Sequence, residues 1–96
     1  MPTFVIMGNL TSDAIENLKE EGKRQQQAFE LAKRYKCEVK GLYYTMGKYD
    51  IVAIVEAPDN ESLMKALFEL AKGGAARTRT MLAFPAEDVA KMTAEL

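Results

Sequence analysis

Histidine and tryptophan are absent from this chain of 96 residues, and cysteine occurs once. The lack of histidine removes the usual general base, the usual imidazole metal ligand and the usual proximal ligand of haem. We therefore expect no metal and no cofactor, and any acid–base chemistry would fall to Asp, Glu, Lys or Tyr. The lone Cys37 forms no disulfide within the chain, which is typical of a reducing compartment. We interpret it as a small, half-buried hydrophobic residue rather than a reactive thiol.

The chain also lacks a surplus of charge and a long apolar run. Its 13 basic residues nearly balance its 14 acidic residues, for a net charge of −1. A nucleic-acid-binding protein needs a basic surplus or stripe to neutralise phosphates, so we expect no nucleic-acid partner. No apolar run reaches the roughly 18 residues of a spanning helix, and residues 1–4 lack the basic start of a signal peptide. These features predict no membrane contact and a cytoplasmic location.

The hydrophobic pattern predicts four strands and two main helices in the order β-α-β-β-α-β, followed by a C-terminal helix. Gly22 is expected to interrupt the first helix, and Gly41 to mark a bulge in the second strand. The predicted ranges are strands 3–10, 37–46, 50–56 and 76–84, and helices 11–36, 59–72 and 85–96. This order is typical of an α+β, ferredoxin-like domain spanning residues 1–96. Its antiparallel sheet has the strand order 4-1-3-2 and both main helices on one face.

The two central strands are apolar on both faces, although helices cover only one face of such a sheet. In the first strand Phe4 and Ile6 point to one side, and Val5 and Met7 to the other. The third strand, residues 51–56, has the same character. We therefore predict a homodimer or larger homo-oligomer in which sheets pack face to face around a barrel-like interior. The alternative is that the C-terminal helix, with Val89 and Met92 facing inward, covers part of the second face.

Three segments carry a family resemblance: PTFVIMGNLT, YYTMGKYDIVAIVEAPD and GGAARTRTMLAF. Together they resemble the GYD-domain proteins, named for a Gly-x-Tyr-Asp stretch that is here Gly47, Tyr49 and Asp50. The likeness covers about residues 2 to 88. It implies a dimeric α/β barrel of ferredoxin-like fold and allows larger assemblies, but it implies little about activity. The wider superfamily includes cofactor-free monooxygenases, isomerases, haem-degrading enzymes and ligand-sensing domains of transcription regulators, and the absence of histidine disfavours the haem branch.

The predicted topology brings polar residues together at one end of the sheet. Asn9, Asp50 and Arg77 fall at the same end of three adjacent strands, and by alternation they share the face away from the helices. An acid, an amide and a guanidinium at the mouth of an apolar pocket form a candidate small-ligand site. Arg77 would hold an anionic or carbonyl group, and Asp50 would act as a base or hydrogen-bond acceptor. The complete set of candidates is Asn9, Tyr44, Tyr49, Asp50, Arg77 and Arg79.

Each candidate also has a structural interpretation. Asp50 is interpreted first as a residue that fixes the hairpin, and Asn9 as a turn or cap residue. The two arginines are interpreted as edge-strand charges that prevent pairing with another sheet. Alternatively, they form an ion pair across an interface. The two tyrosines suit packing with a hydrated hydroxyl group.

Three functions remain open from the sequence. The first is an oligomeric module that binds or senses a small, partly apolar or anionic molecule. The second is a cofactor-free isomerase or monooxygenase, and the third is a structural assembly protein with no ligand. A real internal cavity would separate the first two from the third.

Overall fold

The computed structural model describes all residues, 1–96, as one four-stranded antiparallel sheet with helices on one side. The elements are β1 (Thr3–Leu10), α1 (Ser12–Glu16), a 3₁₀ turn (Leu18–Glu20), α2 (Glu21–Arg34), β2 (Glu38–Tyr44), β3 (Ile51–Glu56), α3 (Asn60–Lys72), β4 (Ala76–Ala83) and α4 (Ala86–Ala94). The strands lie in the order β2-β3-β1-β4. Read from the other edge, this is the predicted 4-1-3-2 order, so the ferredoxin-like fold is confirmed.

The core lies between the sheet and the two long helices. Phe4 and Val55 are directly opposed on β1 and β3, and both are buried. They pack with Cys37, Ala57 and Leu63. Partly buried residues from α2 and α3 close over this cluster: Ala32, Tyr35 and Leu67. The face of the sheet that carries Phe4 is therefore the helix face, as the alternation along β1 predicts.

The prediction that Gly22 interrupts the first helix was wrong, because the break lies at Asn17. Thr11 caps α1, with its hydroxyl oxygen accepting a hydrogen bond from the amide of Ala14 at 3.3 Å. After one turn the backbone leaves helical geometry at Asn17, whose side chain donates to the carbonyl of Asp13 at 2.9 Å. Gly22 instead lies in the first turn of α2, exposed, where a glycine interrupts nothing.

The hairpin between β2 and β3 carries both predicted backbone irregularities. The strand register passes from Val39 opposite Val55 to Gly41 opposite Ile54, which leaves Lys40 as the extra residue of a bulge. In the turn, Gly47 has a φ of 112°, a conformation that side-chain-bearing residues rarely adopt. The glycine of the Gly-Lys-Tyr-Asp stretch is therefore required by the backbone of the turn.

Helix α3 begins and ends as its sequence predicts. The Asp59 carboxylate accepts a hydrogen bond from the amide of Ser62 at 2.7 Å, which caps the helix. The same hydrogen bonds lower the pKa of Asp59 below its usual value. At the other end, Gly74 takes up the left-handed conformation that commonly follows a helix.

Helix α4 does not fold back on the sheet, which corrects the expected inward orientation of its apolar residues. Val89 and Met92 remain 39% and 48% exposed. The chain is accordingly elongated, measuring 51 × 30 × 17 Å. Its radius of gyration is 14.6 Å, against about 12.5 Å for a compact chain of this length. Separately, none of the helices has the length and apolar character needed to cross a membrane.

The isolated chain exposes far more surface than a monomer of its mass should. Its accessible area is 7029 Å², whereas the usual scaling gives about 5,500 Å² for a folded monomer of 10.7 kDa. Only 8 of the 96 residues are buried. The surplus, about 1,500 Å², exceeds the roughly 800 Å² that each partner contributes to a standard interface.

Candidate functional site

The face of the sheet opposite α2 and α3, called the outer face below, is organised in rows across the strands. Residues that are directly opposed in an antiparallel sheet point to the same side. The central rows are apolar and are formed by Tyr43, Val52 and Met7, and by Ile54, Val5 and Met81. On the edge strand β4, Arg79 is opposed to Met7, and Arg77 is opposed to Asn9. The outer face thus has an apolar centre with two guanidinium groups along one edge.

Asp50 ties the turn before β3 to the end of β1. Its carboxylate oxygen Oδ2 accepts a hydrogen bond from the amide of Leu10 at 2.9 Å, and the Asn9 amide nitrogen lies 3.5 Å from the same oxygen. Asn9 also donates to the carbonyl of Lys48 at 2.8 Å. The backbone amide of Asp50 donates to the carbonyl of Gly8 at 2.9 Å. Both polar side chains are therefore engaged in holding the turn against β1.

Arg77 and Arg79 differ from Asp50 in having no partner within the chain. Both are exposed on the edge strand β4. No ion pair of the chain includes either guanidinium group. Asn9 and Arg77 line a shallow, open depression at the end of the sheet. The structure thus brings Asn9, Asp50 and Arg77 to one end, with both arginines available to an external anion.

Neither candidate tyrosine makes a side-chain hydrogen bond to this group. Tyr49 is in the turn, half-buried, and its carbonyl accepts a hydrogen bond from the hydroxyl of Thr45 at 2.6 Å. The Lys48 ammonium nitrogen lies 5.7 Å from the centre of the Tyr49 ring. Tyr44 is opposed to Ile51 and belongs to the helix face. No site on the outer face of one chain therefore includes Tyr44.

Tyr44 instead borders a cavity of about 160 Å³ between the sheet and helices α2 and α3. Most of the lining is hydrophobic, including Ile6, Leu42, Ile51, Leu31 and Leu67. The lining also includes several small residues, among them Gly8, Ala28, Ala32, Ala53 and Ala66.

A polar cluster lies at the border of this cavity. The Arg24 guanidinium contacts the Glu21 carboxylate at 2.7 Å, and the Tyr44 hydroxyl donates to the other oxygen of Glu21. Arg24 also donates to the carbonyls of Ala14 and Asn17, at 3.0 and 3.1 Å. Burial, together with the neighbouring Glu21 carboxylate, raises the pKa of Tyr44. The cluster joins α2 to β2, and Arg24 supplies hydrogen-bond donors to carbonyls at the C-terminal end of the short helix α1.

Sequence reasoning missed Glu21 and Arg24. Their i, i+3 spacing is the only sequence signal, and on a helix it normally indicates a solvent-exposed ion pair. Here the two side chains are only 18% and 20% exposed, because Tyr44 of β2 and the backbone of α1 pack around them. Cys37 has the structural role expected from its sequence context: its thiol is buried, and burial raises its pKa.

Replacing the Asp50 carboxylate should destabilise the fold. Asp50→Ala leaves the part-buried amide of Leu10 without a partner, so the free energy of unfolding in urea should fall by about 1–3 kcal/mol. Asp50→Asn retains an oxygen acceptor and should lose less. The matched control is Asp13→Ala, which removes an exposed carboxylate without a side-chain hydrogen bond. An Asp50→Ala protein that unfolds at the wild-type urea concentration, at equal protein concentration, would contradict this role.

Comparison with known proteins agrees with this architecture. The GYD domain model matches residues 4–93. A Thermus thermophilus protein described as a glutamine synthetase and cystathionine beta-lyase binding protein is 34% identical over 90 residues, which is 93% of this chain and 95% of that protein.

Two solved structures share the fold at lower identity. MtbAldR superposes with a TM-score of 0.65 at 24% identity, over 88% of this chain and 52% of its own. A feast or famine regulatory protein from M. tuberculosis, in complex with L-methionine, gives a TM-score of 0.58 at 14% identity, over 90% of this chain and 52% of its own. The chain thus spans about half the length of both proteins. On the family match and the Thermus relative, this chain is a member of the GYD domain family.

Proposed function

We propose that this protein is a small-molecule binding or sensing module that works as a homo-oligomer, with its ligand held between two outer faces. The observation that carries this proposal is the pattern of the outer face. It has an apolar centre, and Arg77 and Arg79 stand unpaired along one edge of that centre. A ligand that matches this pattern has an apolar body and an anionic group.

The apolar centre supports the homo-oligomer. Ile54 is 37% exposed although it lies on a central strand, and Met81, in the same row on the edge strand β4, is 49% exposed. A second copy presents the same apolar rows, and a two-fold interface requires such a self-complementary surface. The surplus of exposed surface is also large enough for an interface of standard size.

The free guanidinium groups support an anionic group on the ligand. Arginine binds a carboxylate through two parallel hydrogen bonds, and this geometry gives orientation as well as affinity. Asp50 already accepts a hydrogen bond from the amide of Leu10, and the other nearby acid, Asp13, is exposed at the rim of the depression that Arg77 lines. The site is therefore better suited to binding than to proton transfer. The feast or famine regulatory protein was solved with L-methionine, a molecule with both an apolar side chain and a carboxylate.

The assembly is tested by placing a charge in the centre of the outer face. Wild-type protein at micromolar concentration should sediment as a dimer or larger species in analytical ultracentrifugation. Ile54→Asp should sediment as a monomer, because it buries a carboxylate in an apolar interface. The matched control is Ile15→Asp, at an exposed position of α1 outside the sheet, which should keep the wild-type size. A monomeric wild type, or an assembled Ile54→Asp, would contradict the proposed interface.

The ligand site is tested with L-methionine and hexanoate as probes, by isothermal titration calorimetry. Both should bind, and Arg77→Ala or Arg79→Ala should weaken binding about tenfold or more, since a hydrogen bond to a charged group contributes about 1.5–3 kcal/mol. Hexanol, which lacks the charge, should be unaffected by either substitution. The matched control is Arg34→Ala, which removes an exposed guanidinium from α2. If neither Arg77→Ala nor Arg79→Ala changes the affinity for the probes, this site is ruled out.

A second candidate function is the binding of another protein, and the Thermus relative favours it. That relative is named for binding glutamine synthetase and cystathionine beta-lyase. If this chain shares the property, purified glutamine synthetase should retain it in surface plasmon resonance at micromolar concentration. Bovine serum albumin serves as the control surface. Equal retention on the two surfaces would reject this candidate.

A further inference from the structure

None of the residues that line the cavity between the sheet and the helices lies on the outer face. Its walls come from the inward sides of β1, β2 and β3 and from α2 and α3, including Ile6, Leu42, Ala53, Ala28 and Leu67. The sheet itself stands between these residues and Arg77, Arg79 and the apolar centre. A ligand of this cavity is therefore contacted by residues of one chain that the outer-face site does not use.

The size of the cavity limits what it can hold. Its volume is about 160 Å³, and an apolar cavity of about 150 Å³ in another protein binds benzene. Part of the lining consists of small residues, among them Ala28 and Ala32 on α2 and Ala53 on β3. A cavity of this size and lining suits a single aromatic ring or an aliphatic group of the same bulk.

The polar cluster at the border limits the ligand further. Arg24 already binds Glu21 through Nε and the carbonyls of Ala14 and Asn17 through Nη2. Its Nη1 group has no partner within the chain, but its charge is paired with the Glu21 carboxylate, 2.7 Å from Nη2. A ligand carboxylate would therefore meet a neutralised ion pair here, unlike at the two outer-face arginines. Each Glu21 oxygen accepts one hydrogen bond, from Arg24 or from Tyr44, and a carboxylate oxygen accommodates a second. The group that a ligand meets here is a carboxylate acceptor, which attracts a donor and repels an anion.

We infer that this cavity is a second ligand site, for a neutral, phenol-sized molecule with one O–H or N–H donor. The ring occupies the space between the sheet and α2, and the donor binds the Glu21 carboxylate. Tyr44 and Arg24 hold that carboxylate in place. The ligand class differs from the anionic one proposed for the outer face, so the cavity selects a neutral donor and the outer face an anion.

Phenol, aniline, benzene and benzoate are the probes for this site. In ¹H–¹⁵N spectra of the whole protein at neutral pH, phenol and aniline at millimolar concentration should shift the amides of Leu42, Ala53 and Ala28. They should leave those of Val52 and Arg79 in place. Benzene should bind more weakly than phenol, and benzoate should not bind in the cavity. No shift with either donor probe, or shifts confined to the outer face, would overturn the inference.

Two substitutions test the volume and the acceptor separately. Ala28→Leu fills the space and should weaken phenol binding at least tenfold. The control is Ala71→Leu, at an exposed position of α3 outside the lining, which should have no effect. Glu21→Gln should weaken phenol at least fivefold and leave benzene unchanged. Its control is Glu61→Gln, an exposed carboxylate on α3.

The outcomes also separate this site from the outer-face site. Arg77→Ala should weaken L-methionine and leave phenol unchanged, whereas Ala28→Leu should do the reverse. Phenol affinity that is unaffected by both Ala28→Leu and Glu21→Gln would overturn the inference even if L-methionine binds as proposed. If Ala28→Leu does not fold, as judged by its circular dichroism, Glu21→Gln and the wild-type shifts decide the result.

Discussion

Both faces of the sheet are apolar, but the helices of the chain cover only one of them. This constraint governs the rest of the structure. Helices α2 and α3 pack on the face that carries Phe4 and Val55, while α4 extends away from the sheet rather than over its outer face. The exposed area therefore exceeds that of a monomer of this mass by about 1,500 Å². An exposed apolar sheet face of this kind is typical of an interaction surface.

The Gly-Lys-Tyr-Asp turn controls the end of the sheet where polar residues gather. Gly47 supplies the backbone conformation, and the Asp50 carboxylate joins the turn to the amide of Leu10. Because that carboxylate is occupied, the chemistry left to this end of the sheet comes from Arg77 and Arg79. In the proposed outer-face site, the signature residues would contribute to the geometry, and the arginines of the edge strand β4 would contribute the charge.

Much of the fold followed from local patterns. The predicted β1 and the actual strand share their limits, Asp59 caps α3, and the bulge lies at Gly41. Alternation along the strands also placed Asn9 and Arg77 opposite each other. The predictions were wrong where a tertiary contact, rather than local propensity, decided the structure. Gly22 was expected to break a helix, but the break occurs at Asn17, whose carbonyl binds Arg24.

Periodicity and turn chemistry in the sequence by themselves determined the order of elements and the side of the sheet on which each strand residue lies, because these depend on neighbours a few positions away. Only the tertiary structure decided that Asp50 is occupied, that α4 leaves the outer face open, and that Glu21, Arg24 and Tyr44 meet beside a cavity. Tyr44 and Glu21 are 23 residues apart. Their contact depends on how α2 lies across the sheet, and that position results from the summed packing of the core rather than from any local pattern.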